Sequence, residues 1–204
     1  MDSRFQTHVL NDGLEFLTGR IPEDLRASIP FGTLWDLHPS EFPEIQMHGR
    51  RVKIPRWQQA YGRAYRFSGQ TSHPLPVPAI LEPVLAWCRS AINPGLNGLL
   101  LNWYDGQLGH YIGRHRDSTH NLAPKSSIVT VSFGEERAFR LRPWPHQPDA
   151  MPSDFRTADG SVFILPWTTN RSFTHEVTAS KRLTGRRISI TIRAFTDGVI
   201  GTTS

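Results

Sequence analysis

The sequence has little with which to build a covalent scaffold or to cross a membrane. One of its 204 residues is cysteine, Cys88. That excludes an internal disulfide and a cysteine-rich zinc site, and it fits a reducing compartment. No apolar run approaches the roughly 18 residues of a membrane-spanning helix. The opening MDSRFQTHVL lacks a charged-then-apolar leader, so a cytoplasmic protein (nuclear in a eukaryotic host) with no membrane partner is expected. Negative charge is also in short supply: 18 Asp and Glu stand against 23 Lys and Arg, a formal net charge of +5. Such a balance favours polyanionic partners, although a merely basic enzyme shows it too. With no internal repeat, low-complexity tract or linker, the length suits one domain over residues 1–204 and a monomer.

Turns, in contrast, are plentiful. Sixteen Gly and sixteen Pro point to many short strands in place of a helical bundle. Residues 1–20 read as a loosely structured lead-in. Pro22-Glu23-Asp24 ahead of Leu25 and Ile29 reads as a short helix with acidic residues in its first turn. Phe31 to Leu37 is aromatic-rich and suits packing under a sheet. Val84 to Ile92 has helical spacing behind a proline, holds Trp87 and Cys88 as core candidates, and stops at Asn93-Pro94-Gly95. Strand-like runs follow at Ser127 to Phe133, Ala138 to Arg142, Ser161 to Pro166, Ser172 to Val177 and Arg187 to Phe195. Helices early and short strands late predict an α+β, mainly β fold: an antiparallel sandwich such as a jelly roll, buttressed by helices.

The chemistry concentrates in Asn102 to Asp117, NWYDGQLGHYIGRHRD. His115 and Asp117, two apart, project to one face of an extended backbone. One more histidine would complete the two-His-one-carboxylate triad of non-haem iron(II) oxygenases, which leaves coordination positions open for substrates. By itself H-x-D recurs by chance in a chain with nine His. His175, in the extended segment SFTHEV, is the natural third ligand, because a jelly roll brings distant strands together at one mouth. Alone, it would read more readily as a structural histidine.

The following strand changes that weighing. In Arg187 to Arg193, Ile188, Ile190 and Ile192 face one way, and Arg187, Ser189, Thr191 and Arg193 the other. An edge strand with solvated arginines would look the same. If the polar face lines a barrel mouth instead, the two arginines, with Cα atoms roughly 20 Å apart at about 3.3 Å per residue, could hold the two ends of a dicarboxylate. Arginine suits forked binding of carboxylates.

A second informative stretch is Met47 to Gly69, MHGRRVKIPRWQQAYGRAYRFSG, where six Arg or Lys alternate with Trp57, Tyr61, Tyr65 and Phe67. Cations for phosphates and flat rings for bases are what a nucleic-acid groove needs. An ordinary amphipathic hairpin with core aromatics has the same composition, and composition favours it.

Taken together, these residues resemble the AlkB-like branch of the Fe(II)/2-oxoglutarate-dependent dioxygenases, which oxidatively dealkylate nucleic-acid bases. The resemblance covers about residues 47–195. It implies a double-stranded β-helix (jelly roll) with supporting N-terminal helices, and Fe(II), 2-oxoglutarate and O2 as cofactors, 2-oxoglutarate leaving as succinate and CO2. His115, Asp117 and His175 match its metal ligands. Asn102 and Tyr104 match its N-x-Y pair on 2-oxoglutarate. Arg187 matches the partner of the remote carboxylate and Arg193 that of the carboxylate nearer the metal. The recognition stretch of duplex-acting members matches at Pro55, Arg56, Gln58, Tyr61, Gly62, Tyr65, Phe67, Ser68 and Gly69. It follows that residues 1–46 are an N-terminal extension with helices, 47–72 a nucleotide-recognition lid, and 98–196 the catalytic core.

The implied partner is alkylated DNA or RNA, with Arg56, Gln58, Tyr65, Phe67 and Ser68 at the substrate. Phe67 and the His115 ring are candidates to sandwich the base, and Arg50, Arg51, Arg56, Arg63 and Arg66 to meet phosphates. Three departures stand out: Thr119 replaces an acidic residue that contacts the lesion base in relatives, Met47-His48 occupies the place of an apolar duplex finger, and Ser189 replaces an Asn beside 2-oxoglutarate. The loss at Thr119 is the best support for an alternative, the same cofactor chemistry on a protein or an unlesioned base.

Overall fold

The computed structural model describes residues 4–47, 49–67 and 69–196. Ser68 as a substrate contact, and His48 with the Met47 side chain as a finger, lie outside the described residues.

Eight strands form the larger sheet, in the spatial order Phe5–Val9, Glu15–Arg20, Ser161–Leu165, Ile128–Gly134, Arg186–Arg193, Gly98–Asp105, Trp57–Tyr61 and Pro74–Leu75. Four more, Ile112–His115, Phe173–Val177, Ala138–Pro143 and Ser153–Arg156, form the smaller one. Two hairpins, Glu44–Met47 with Arg50–Lys53 and Tyr65–Phe67 with Gln70–Ser72, stand apart from both sheets. This is the expected jelly-roll sandwich with helices on one side.

Period-two alternation explains the layering. In Gly98–Asp105 every residue is buried. Leu99, Leu101 and Trp103 enter the main core, whereas Leu100, Asn102 and Tyr104 line an internal cavity. Arg186–Arg193 repeats the pattern: Ile188, Ile190 and Ile192 are core, and Arg187, Ser189, Thr191 and Arg193 face the cavity. The core face packs on Ile29, Leu34 and Trp35, and on Leu81, Val84, Leu85 and Cys88 of the helical segments. Trp103 Nε1 donates to the Leu34 carbonyl at 2.8 Å and ties the helix Phe31–Trp35 to the sheet. The strand bearing the two arginines is thus central, between Ile128–Gly134 and Gly98–Asp105, and not a solvated edge.

Short helices at Glu23–Ala27 and Glu82–Ala91 lie where the local signals put them. The lead-in does not. Residues 5–9 and 15–20 pair as an antiparallel hairpin and extend the large sheet through Ser161–Leu165. Phe16 is fully buried against Phe139, Phe155 and Phe163. A strand recruited by a partner 140 residues away leaves only a weak local pattern, which is why residues 1–20 read as loose.

Candidate active site

The smaller sheet delivers the three metal-competent side chains. His115 ends one strand and stands directly opposite His175 on the next. Asp117 follows two residues later, beyond the strand end. One ligand atom from each lies within 4.8 Å of the others. Asp117 Oδ1 is 3.6 Å from His115 Nε2 and 3.9 Å from His175 Nε2. Its other oxygen, Oδ2, accepts from Arg193 Nη2 at 2.7 Å. The carboxylate therefore turns one oxygen toward the histidines.

The electrostatics suit a divalent cation. Burial alone would push the Asp117 carboxyl up, but the Arg193 guanidinium, then His115 and His175, outweigh it and hold it well below the ordinary carboxylate range. Burial, then the neighbouring His115 ring, push the His175 imidazole down to about 3, against the pull of Asp117. His175 is therefore neutral, the form that ligates metals. His115 Nδ1 lies 2.8 Å from the Gly113 carbonyl; donating there leaves the Nε2 lone pair toward Asp117.

Behind this cluster lies a cavity of about 420 Å³ between the sheets. Its floor is a polar row across three adjacent strands, Gln58, Asn102 and Ser189 in direct register, and Ser132 continues the register on a fourth. Arg187 and Arg193 flank the row. Arg187 Nε donates to Thr157 Oγ1 at 3.0 Å and its Nη2 to Ser132 Oγ at 3.1 Å, with the Tyr104 ring 5.1 Å from Cζ. Its Nη1 remains buried without a hydrogen-bond partner, as does Arg193 Nε. Unspent, buried cationic donors at two ends of one strand fit a dicarboxylate.

The recognition stretch divides. Tyr65 and Phe67 line the cavity, their rings stacked with centroids 6.0 Å apart. The Tyr65 hydroxyl donates to Asp117 Oδ1 at 3.1 Å. Arg56 departs from its expected place among the phosphate-facing arginines. It is buried, Nε donating to Asn102 Oδ1 at 2.8 Å and Nη2 to Gln58 Oε1 at 3.1 Å. It orients two floor amides, whereas Arg50, Arg51, Arg63 and Arg66 are exposed. Thr119 is likewise not on the cavity wall; Ser118 is. A turn begins at Thr119, whose carbonyl accepts the Leu122 N–H at 3.2 Å.

Sequence reasoning missed the supports: Ser132 and Thr157 behind Arg187, and Asn170. The Asn170 amide lies in the short helix Trp167–Ser172 and bonds both the N–H and the carbonyl of Asp117. No motif marks such residues, since each acts through register or a tertiary turn.

The 2OG-Fe(II) oxygenase superfamily matches by its family model over residues 28–193. The chain belongs to this oxygenase superfamily. Within the superfamily it is AlkB-like. It is 32% identical over 160 residues to the DNA oxidative demethylase ALKBH2 of Homo sapiens, covering 73% of this chain and 60% of that protein. To the Mus musculus ALKBH2 it is 34% identical over 161 residues, covering 74% and 66%. The chain thus spans less than two thirds of the length of these relatives. The solved structure of OsALKBH1 superposes with a TM-score of 0.56 over 92% of this chain and 99% of that one; at 16% identity the likeness concerns the fold. Membership in the 2OG-Fe(II) oxygenases brings iron(II), 2-oxoglutarate and O2 as cofactors, which the His-Asp-His cluster and the arginine-flanked cavity fit.

Proposed function

We propose that this chain is an Fe(II)- and 2-oxoglutarate-dependent dioxygenase that oxidatively dealkylates N-alkylated nucleobases in DNA or RNA, as in repair of alkylation damage. The observation that carries the reading is the opening of one cavity onto the His115/Asp117/His175 cluster, the Arg187 and Arg193 donors, and the Tyr65 and Phe67 rings together. Its relatives' name, DNA oxidative demethylase, supports the substrate class.

When bound, the cofactors supply the oxidising chemistry. The chain's own residues bind and orient. His115, Asp117 and His175 would hold the iron. Arg187 would take the remote carboxylate of 2-oxoglutarate and Arg193 the one nearer the metal, with Asn102, Tyr104 and Ser189 along its length. Gln58, with a buried amide nitrogen that lacks a partner, and Tyr65 and Phe67 would receive the base. A target stacked in a duplex cannot reach this cavity, so it would enter flipped or from a single strand. No side chain need act as general base, and the neutral His175 is consistent with a ligand role. We assign the protein to the cytoplasm, as a monomer.

Formaldehyde release from N-methylated oligonucleotides, set against methylated peptides, tests the reading. Release from oligonucleotides alone is expected. Release from peptides alone would replace the substrate class with a protein one.

A further inference from the structure

Two large aromatic side chains stand exposed among the described residues, Tyr111 at 40% and Trp144 at 42%. Both stand next to the cavity, Tyr111 on its wall and Trp144 against a wall residue, Arg116. Tyr111 lines its rim, with its backbone N–H donating to the Pro55 carbonyl at the base of the lid. Trp144 follows the strand Ala138–Pro143, its backbone N–H donating to the Ser172 carbonyl at 2.7 Å. Arg116, itself on the cavity wall, places its guanidinium carbon 5.0 Å from the Trp144 ring centroid. That guanidinium is held in turn by the Arg171 carbonyl at 3.0 Å. Between the two aromatics Arg114 is exposed on the same wall.

The strand Ile112–His115 is the edge of the smaller sheet, so this row meets solvent. From Tyr111 to Arg116 the chain, irregular in register between Ile112 and His115, advances at most roughly 16 Å at about 3.3 Å per residue. At about 3.4 Å per stacked nucleotide, that accommodates a target nucleotide and a neighbour on either side. An exposed aromatic and a basic row along this edge, with a second exposed aromatic held against Arg116, is the composition of a single-strand track, with rings for bases and cations for the backbone.

We propose that the 111–116 edge, with Trp144, binds the single-stranded nucleic acid flanking the target base, one neighbouring base stacking on Tyr111 and the other on the face of Trp144 away from Arg116. The proposal rests on the nucleobase reading of the cavity. It locates a contact surface beside the cavity, on residues to which the motifs assign no role. Its cations need not be read base by base, so the track would be indifferent to sequence and weakened by salt.

The test uses the full chain, a single-stranded decamer with one central N-methylated base, and 2-aminopurine in place of either neighbour. Wild-type protein should bind the decamer and quench both reporters. Trp144→Ala should weaken decamer binding on the order of 5- to 150-fold and abolish quenching at one neighbour. Tyr111→Ala should do the same at the other, and Trp144→Phe should restore most of the affinity. The ratio of kcat/KM for the decamer to that for the methylated mononucleoside should fall with each alanine, while circular dichroism and Tm report a retained fold. Binding and quenching equal to wild type in both alanine variants would overturn the track and leave the cavity reading intact. Wild-type protein that ignores every oligonucleotide yet demethylates peptides would overturn both.

Discussion

The side-chain amide of Asn170 grips the backbone of Asp117 at two points: its Oδ1 accepts the Asp117 N–H at 3.1 Å, and its Nδ2 donates to the Asp117 carbonyl at 3.0 Å. Asp117 lies beyond the strand end, where no ladder holds it, so this clamp fixes the direction of its carboxylate.

Asn170→Ala should therefore lower divalent-metal affinity by about 10- to 100-fold, the usual effect of losing a residue that orients a ligand. Calorimetric titration with Mn(II) measures this directly. Asp117→Asn should abolish metal binding with less loss of stability than Asp117→Ala. The alanine leaves Arg193 buried and unpaired, a cost of about 3–5 kcal/mol. Affinity unchanged in Asn170→Ala would remove the clamp from the site.

Thr157 and Ser132 take two arms of Arg187 and leave Nη1 for a ligand. Thr157→Val should raise both the Kd and the KM for 2-oxoglutarate about 10- to 150-fold, since a hydrogen bond to a charged group is worth roughly 1.5–3 kcal/mol. Thr157→Ser should recover most of it, and Arg187→Ala should exceed it. Equal Kd for wild type and Thr157→Val, by calorimetry with Mn(II) bound, would contradict this arrangement.

Stability of the metal-free protein should depend on pH through His175. Its folded pKa, about 3, lies below the ordinary 6.5, so the unfolded chain takes up the proton first. The stabilising effect is whole above pH 6.5 and is lost as pH falls through that window toward 3. Asp117, also depressed, loses its contribution only in strong acid. Melting temperatures between pH 7 and pH 4 should decline, and His175→Gln should flatten the decline. A parallel slope in the variant would assign the acid sensitivity elsewhere.

Cys88 is fully buried in the main core, and burial pushes its thiol up to about 12. At pH 8 it should react with a disulfide reagent only as fast as the protein opens. Rapid labelling of the native protein would show that the helix Glu82–Ala91 detaches locally.

Local pattern by itself determined the later strands, from Ile128–Gly134 to Arg186–Arg193, the helices Glu23–Ala27 and Glu82–Ala91, and the residue types of the site. Alternation marked Ile188, Ile190 and Ile192 as one face, and H-x-D followed by a distal His marked the ligands, because backbone geometry and ligand chemistry are written in spacings of two or three residues. Which face of Arg187–Arg193 is wet was not legible there: an edge strand and a cavity-lining strand share one pattern, and only its neighbours on both sides decide. The N-terminal hairpin, the burial of Arg56 on Asn102 and Gln58, the place of Thr119 off the cavity wall, and the Asn170 clamp were likewise decided by tertiary structure. The hairpin, the Arg56–Asn102 bond and the Asn170 clamp depend on partners dozens of residues away, whose arrival is settled by the packing of two whole sheets and leaves no trace in neighbouring sequence.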